Sequence, residues 1–315
     1  DEIMVSNGYD YYRYMDDIKI ICKNEYEARK ALKFFCHELR KVNLTANGSK
    51  TKIINPGTEE HDKFIEDDGI EFERLDAMLY TKKKQIVAIA YAEIKAELEE
   101  CILQKDFDSR KFRFLLNRIS KISLCKDIKK PENYFNLIKD NIIKAIISHP
   151  TSTDSFYNLL SSIDLKDVDL DKIAKFLQNE DLSIYSWQNY QLWKLLVLKN
   201  YKNRNLKKYA KKLLLTDKTA NVCGALLYLG KNGTITDKSM ILKMLNVEQN
   251  FFIQRHCLIA IQELSWKEVK EYKNMVNEEN FGIFNELHHS KEHHYVVPPK
   301  EIKFYDIFNQ VGFYA

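Results

Sequence analysis

The sequence predicts an α+β N-terminal segment, one β-hairpin followed by a helix, that leads into a mostly all-α domain. Three observations carry this expectation. Runs rich in Tyr and Ile, residues that favour strands, stand on both sides of a short turn within residues 9–22. From residue 25 to about 40, Ala28, Ala31, Leu32, Phe35 and Leu39 recur at helical spacing with Lys and Arg between them. Beyond Pro56 few segments read as strands, and nine glycines in 315 residues leave long helices uninterrupted.

The turn is Tyr14-Met15-Asp16-Asp17, preceded by Tyr9-Asp10-Tyr11-Tyr12-Arg13 and followed by Ile18-Lys19-Ile20-Ile21-Cys22. With Met15 and Asp16 at the tip, Tyr14 pairs with Asp17 and Tyr12 with Lys19. Two adjacent carboxylates in such a place suit a hard cation. Mg²⁺ takes a few carboxylate oxygens and completes its shell with water and substrate phosphates. Ordinary surface turns also favour Asp; the aromatic residue two positions before the pair and the strands on both sides set this turn apart. Asn24 with Glu27 three residues on reads as a capping box that opens the helix. Val42-Asn43-Leu44, a polar turn at Asn47-Gly48 and a short strand at residues 50–54 follow, ended by Asn55-Pro56-Gly57.

The stretch from residue 9 to 54 resembles the catalytic hairpin and following palm segment of reverse transcriptases. Tyr14-Met15-Asp16-Asp17 matches their Tyr-x-Asp-Asp box, and Leu44 through Lys50-Thr51-Lys52-Ile53 matches their next motif. Within that family the chain is most similar to the bacterial defence-associated and abortive-infection group, which joins a palm to a long helical C-terminal region. The likeness is strongest over about the first sixth of the chain.

The resemblance implies an RNA-directed or template-independent DNA polymerase, a nucleotidyltransferase of antiphage defence in the bacterial cytoplasm. Asp16 and Asp17 would hold Mg²⁺, or Mn²⁺ in its place, and Lys50 would protonate the departing pyrophosphate. Tyr14 and Met15 would support the primer terminus or the incoming sugar. RNA template, DNA product and deoxynucleoside triphosphates are the implied partners, and a homo-oligomer is left open. The family also needs a third metal-binding Asp on an earlier palm strand, behind a fingers region. Asp10 cannot replace it, because it lies several residues down the strand, about 13 Å or more from the tip. The expectation is therefore the C-terminal part of a longer enzyme, inactive alone, whose partner is the missing palm and fingers portion. It divides into a palm part at 1–57, palm end and thumb-like helices at 58–109, and an α-helical repeat-like domain at 110–315. The alternative is a non-catalytic helical scaffold or nucleic-acid-binding protein that retains a palm remnant.

Charge is nearly balanced at a formal +4, so any basic surface must be local. Six cysteines at 22, 36, 101, 125, 223 and 257 form no CxxC pair, which predicts reduced thiols and a cytosolic setting. No apolar run approaches the roughly 20 residues that cross a bilayer, and no signal peptide is visible.

Residues 86–103 read as one long helix at the thumb position, with Lys82-Lys83-Lys84 before it as a possible phosphate contact or a solvated turn. Helical segments then follow at 112–122, 134–147 (stopped by His149-Pro150), 156–163, 170–177 and 187–198. The series continues at 206–215, 220–229 (closed by Gly230), 238–245 and 251–264. Paired helices with short connections predict a HEAT-like solenoid, although no strict repeat is visible.

Trp187, Tyr190, Trp193 and Leu196 suggest a stacking platform, but their spacing of three favours core packing. The segment 187–198 also resembles a stretch in the helical regions of the defence-associated group. Arg255-His256 lacks the Arg-x-x-x-x-His spacing of helical ribonucleases, so that activity is rejected. The run His288-His289-Ser290-Lys291-Glu292-His293-His294 has ligands for Zn²⁺ or Ni²⁺. With no nearby Cys it reads as an exposed loop or a surface that binds metal adventitiously. Residues 301–313 form an amphipathic, aromatic segment that is expected to dock as a terminal cap.

Overall fold

The computed structural model describes residues 1–301 other than 16, 49, 59–68, 82, 126, 129–134, 218, 246, 249 and 290–292. These residues are mostly helical and contain one two-stranded antiparallel sheet. The chain divides into two compact units, Asp1–Arg74 and Leu75–Ala315.

The first unit opens with a short helix α1 (Glu2–Ser6), which the sequence pattern did not suggest, and then β1 (Asp10–Tyr14), β2 (Asp17–Ile21) and α2 (Glu25–Lys41). Asn24 caps α2 by accepting from the Glu27 backbone N–H at 2.9 Å. The Glu27 carboxylate reaches back to the Lys23 N–H at 3.2 Å, one residue short of the reciprocal box expected. Packing here is thin. Met4 and Ala31 are buried, and the Tyr9 and Tyr11 rings lie on Phe34 and Phe35 at centroid distances of 5.6 and 6.3 Å.

The lysine-bearing strand at 50–54 does not form. Lys50 N–H donates to the Asn47 carbonyl at 3.0 Å, and Thr51 donates to the same oxygen through both N–H and Oγ1. Residues 51–55 then run on without regular structure. A strand requires a ladder partner, and among the described residues only β1 and β2 pair.

Helix α3 (Gly69–Tyr80) carries the boundary between the units. The second unit continues with α4 (Lys84–Leu103), α5 (Arg110–Ser123), α6 (Asn136–Ala145), α7 (Thr153–Ser162), α8 (Asp167–Gln178) and α9 (Ser186–Leu198). It ends with α10 (Arg204–Thr216), α11 (Ala220–Asn232), α12 (Ile235–Met244), α13 (Phe251–Ala260), α14 (Trp266–Val269) and α15 (Glu278–His289). Most segments expected from apolar periodicity are therefore helices whose ends differ by a few residues.

Most helices of the second unit pack on the one two positions further along. One row runs α5, α7, α9, α11, α13 and α15; the other runs α4, α6, α8 and α10. Neighbours such as α4 with α5, α10 with α11 and α11 with α12 join the rows. Polar ties reinforce this. Lys139 of α6 pairs with Asp169 of α8 at 2.8 Å, with both side chains buried. Asp76 of α3 takes a two-pronged contact from Arg118 of α5 at 3.0 and 2.7 Å. Asp108, after α4, accepts from Thr151 Oγ1 and contacts His149 Nδ1, both at 2.7 Å, which fixes the break before α7.

Helix α11 is the centre of the second unit, with every residue from Asn221 to Gly230 buried. Gly230 does not close the helix, contrary to its expected role as a stop. A Cβ there would meet Tyr295 Cε1 at 2.6 Å and Ala260 Cα at 2.7 Å, so glycine serves close helix approach.

The histidine run is a loop only in part. His288 and His289 end helix α15 and are not in a loop, residues 290–292 lie outside the described residues, and His293 and His294 are exposed. Of the expected terminal cap, residues 302–313 lie outside the described residues, as does Lys82. All six cysteines are free thiols, and burial pushes Cys223 up to about 12. Among the described residues no helix is long and apolar enough to cross a membrane.

Candidate functional site

The hairpin forms in the register that its sequence dictates. Tyr14 pairs with Asp17, Arg13 with Ile18, Tyr12 with Lys19, Tyr11 with Ile20 and Asp10 with Ile21. Only Met15 and Asp16 connect the strands. Two-residue links take primed turns, because their twist matches that of the strands, and such turns need positive φ. Met15 meets that need with φ of +53°. Asp16 lies outside the described residues.

Cross-strand partners share a face. Tyr11, Ile18 and Ile20 are half-buried, and β2 packs on α2. Asp10, Tyr12, Tyr14, Asp17, Lys19 and Ile21 make up the opposite face and are all exposed. Tyr14 and Asp17 thus stand side by side at the open end, with Tyr12 and Lys19 in the next row. Asp10 sits at the far end, where its carboxylate accepts from the Tyr12 hydroxyl. That bond and the Asp10 charge push the phenol above its ordinary value.

This face suits a divalent cation only in part. Asp17 offers an exposed carboxylate whose chain neighbour is Asp16, which is hard-oxygen chemistry of the right kind. Among the described residues, however, no group of three His, Cys, Asp or Glu is placed to hold a metal ion. Lys50 is exposed in the turn after α2, not on a strand.

Met15 is 77% exposed, so nothing in the packing repays a left-handed backbone for a residue with a Cβ. Met15→Gly is expected to raise stability by about 0.5–1 kcal/mol, read as a higher urea midpoint for the first unit. An unchanged or lower midpoint would contradict strain at this turn.

The aromatic stripe of α9 divides in two. Trp193 and Leu196 are fully buried, Tyr190 is half-buried, and Trp187 is 49% exposed. His256 is buried on α13. Its Nδ1–H donates to the Phe252 carbonyl at 2.8 Å, and its Nε2 accepts from the Tyr190 hydroxyl at 2.9 Å. Burial pushes this imidazole down, so it stays neutral and structural.

No family model matches this chain, and no curated protein or solved structure is found similar to it.

Proposed function

We propose that the first unit is the catalytic-hairpin part of a reverse-transcriptase palm, belonging to an RNA-directed or template-independent DNA polymerase of bacterial antiphage defence. The observation that carries this reading is the register, which puts Tyr14 beside Asp17 on an open face around a two-residue turn. Asp17 and Asp16 would hold Mg²⁺ or Mn²⁺, and a third carboxylate is required that Asp10 does not furnish. The bound metal would supply activation of a primer 3′-hydroxyl and charge neutralisation at the leaving pyrophosphate. Tyr14, with its ring on the open face, positions the primer terminus or incoming sugar, and Met15 lies at the tip next to it. Lys50 is the proton donor to pyrophosphate in this reading. The helix-on-second-helix packing of the other unit supports a HEAT-like solenoid, whose role would be to hold product, primer or a second copy.

The test is deoxynucleotide incorporation with Mg²⁺ or Mn²⁺, with and without added template. This chain, a version extended upstream, and the extended Asp17→Asn protein are compared. Incorporation by the extended protein alone, lost in Asp17→Asn, is the expected result. No incorporation by any folded version would sink the polymerase reading. It would favour the second one, a non-catalytic helical scaffold that retains the hairpin and to which the second unit's extensive buried core lends support.

A further inference from the structure

Four rings form a continuous chain of contacts across two helices of the second unit. Trp187 and Tyr190 of α9 lie 5.4 Å apart, Tyr190 and Phe252 of α13 lie 6.1 Å apart, and Phe252 and Phe251 lie 6.5 Å apart. The two ends are open to solvent, Trp187 at 49% and Phe251 at 55%. This is not a core that failed to close, because Trp187 is held in place. Its Nε1–H donates to Asp154 Oδ1 at 3.1 Å, and Gln191 Nε2 donates to the same oxygen at 2.8 Å. A large ring fixed by its edge with a face left in water is a pre-formed surface, since ordering it costs nothing further on binding.

Two cations stand beside the rings. Lys194 Nζ stands 4.5 Å from the Tyr157 ring centre and 5.4 Å from that of Tyr190, and it donates to Gln191 Oε1 at 3.0 Å. Arg255 is exposed one turn beyond Phe251 and Phe252, and its charge acts on both Tyr190 and His256. Among the described residues neither cation makes an ion pair with a carboxylate. Asp154 is engaged by Trp187 and Gln191, and its charge also acts on Lys194. Planar faces beside the exposed Arg255, which makes no ion pair among the described residues, match a ligand that has flat rings and negative charge at regular intervals.

We infer that the Trp187–Tyr190–Phe252–Phe251 face binds single-stranded nucleic acid, with bases stacked on the exposed rings and Arg255 meeting the phosphates. Duplex hides its base faces and is a poorer ligand for such a surface. The inference does not rest on the polymerase reading, because it needs neither the hairpin nor a metal.

The test uses the full chain, without divalent cations or nucleotides, and a fluorescein-labelled oligothymidylate followed by anisotropy over a salt series. Trp187→Ala and Phe251→Ala are each expected to weaken binding by roughly tenfold. Arg255→Gln is expected to lower the steepness of the salt dependence by about 0.7. Asp17→Asn binds like the parent, so a failed polymerase and a failed binding face remain distinguishable. An RNA strand of the same sequence binds with similar strength, and the matching duplex binds more weakly. Absence of saturable binding, equal affinity for duplex, or folded Trp187→Ala and Phe251→Ala proteins that both bind like the parent would overturn the proposal.

Discussion

Trp193→Ala is expected to remove about 3–5 kcal/mol of stability, whereas Trp187→Ala on the same helix removes less than about 1 kcal/mol. Trp193 has no exposed surface. Its side chain fills the space left by Gly224 of α11, where a Cβ would come within 2.5 Å of Trp193 Cβ. The ring stacks on Tyr209 at 6.4 Å and 12°, and it leans on Tyr228 at 5.2 Å. Its Nε1–H donates to Asn221 Oδ1 at 2.9 Å. Truncation therefore opens a large cavity and strands a buried amide oxygen, two costs that add. Trp193→Phe keeps much of the volume and is expected to lose about 1–2 kcal/mol. Gly224→Ala attacks the same contact from the other side and costs about 1–3 kcal/mol, because the atoms it meets start at the Trp193 Cβ and cannot swing away. Urea unfolding followed by far-UV circular dichroism measures all four. Equal losses at Trp187 and Trp193 would refute the division of the α9 stripe.

That division also shows where sequence reasoning stops. A step of three residues turns a helix by about 60° short of a full circle, so three such steps carry Leu196 to the side opposite Trp187. A buried stripe needs steps of three and four in alternation. Trp193 and Leu196 keep to the core, and Trp187 leaves it. The hairpin was more legible, because a period of two and a two-residue link admit one register, and a slip would turn every side chain over. Helix α11 was legible as a helix but not in its end. Gly230 carries the residue type of a stop, while its reason lies in Ala260 and Tyr295, which are remote in sequence. The absent strand at 50–54 has the same cause. A Lys-Thr-Lys-Ile-Ile run has strand propensity, but pairing depends on a neighbour that propensity does not reveal. What the sequence could not show of the site is its completeness, since ligand groups converge only in space.

Asp237→Ala is expected to cost about 2–4 kcal/mol at neutral pH and to remove part of the loss of stability in acid. Asp237 is 2% exposed at the start of α12. Its Oδ2 accepts from the Thr234 N–H at 2.7 Å, the Thr234 hydroxyl at 2.9 Å and Lys207 Nζ at 2.9 Å, and its Oδ1 contacts Lys211 Nζ at 2.5 Å. One carboxylate thus closes the cap of α12 and anchors α10 through two lysines a turn apart. Burial alone would push its carboxyl up. Lys211, the Thr234 N–H, Lys207 and the Thr234 hydroxyl outweigh that and hold it well below the usual carboxylate range. A depressed folded value means that the unfolded chain binds the proton first as pH falls. The stabilisation is therefore complete above the unfolded value of about 3.9 and is lost progressively below it. The lysines are part-exposed and can return to water, which keeps the cost of Asp237→Ala below that of a fully buried broken pair. Asp237→Asn retains an acceptor for the cap and is expected to lose about half as much at pH 7. Urea midpoints of parent and Asp237→Asn across an acid series isolate this group from the other carboxylates, because only its share differs between the two. The curves are expected to converge as pH drops below about 4. Curves that stay parallel would show that Asp237 contributes as a polar cap and not as a charge.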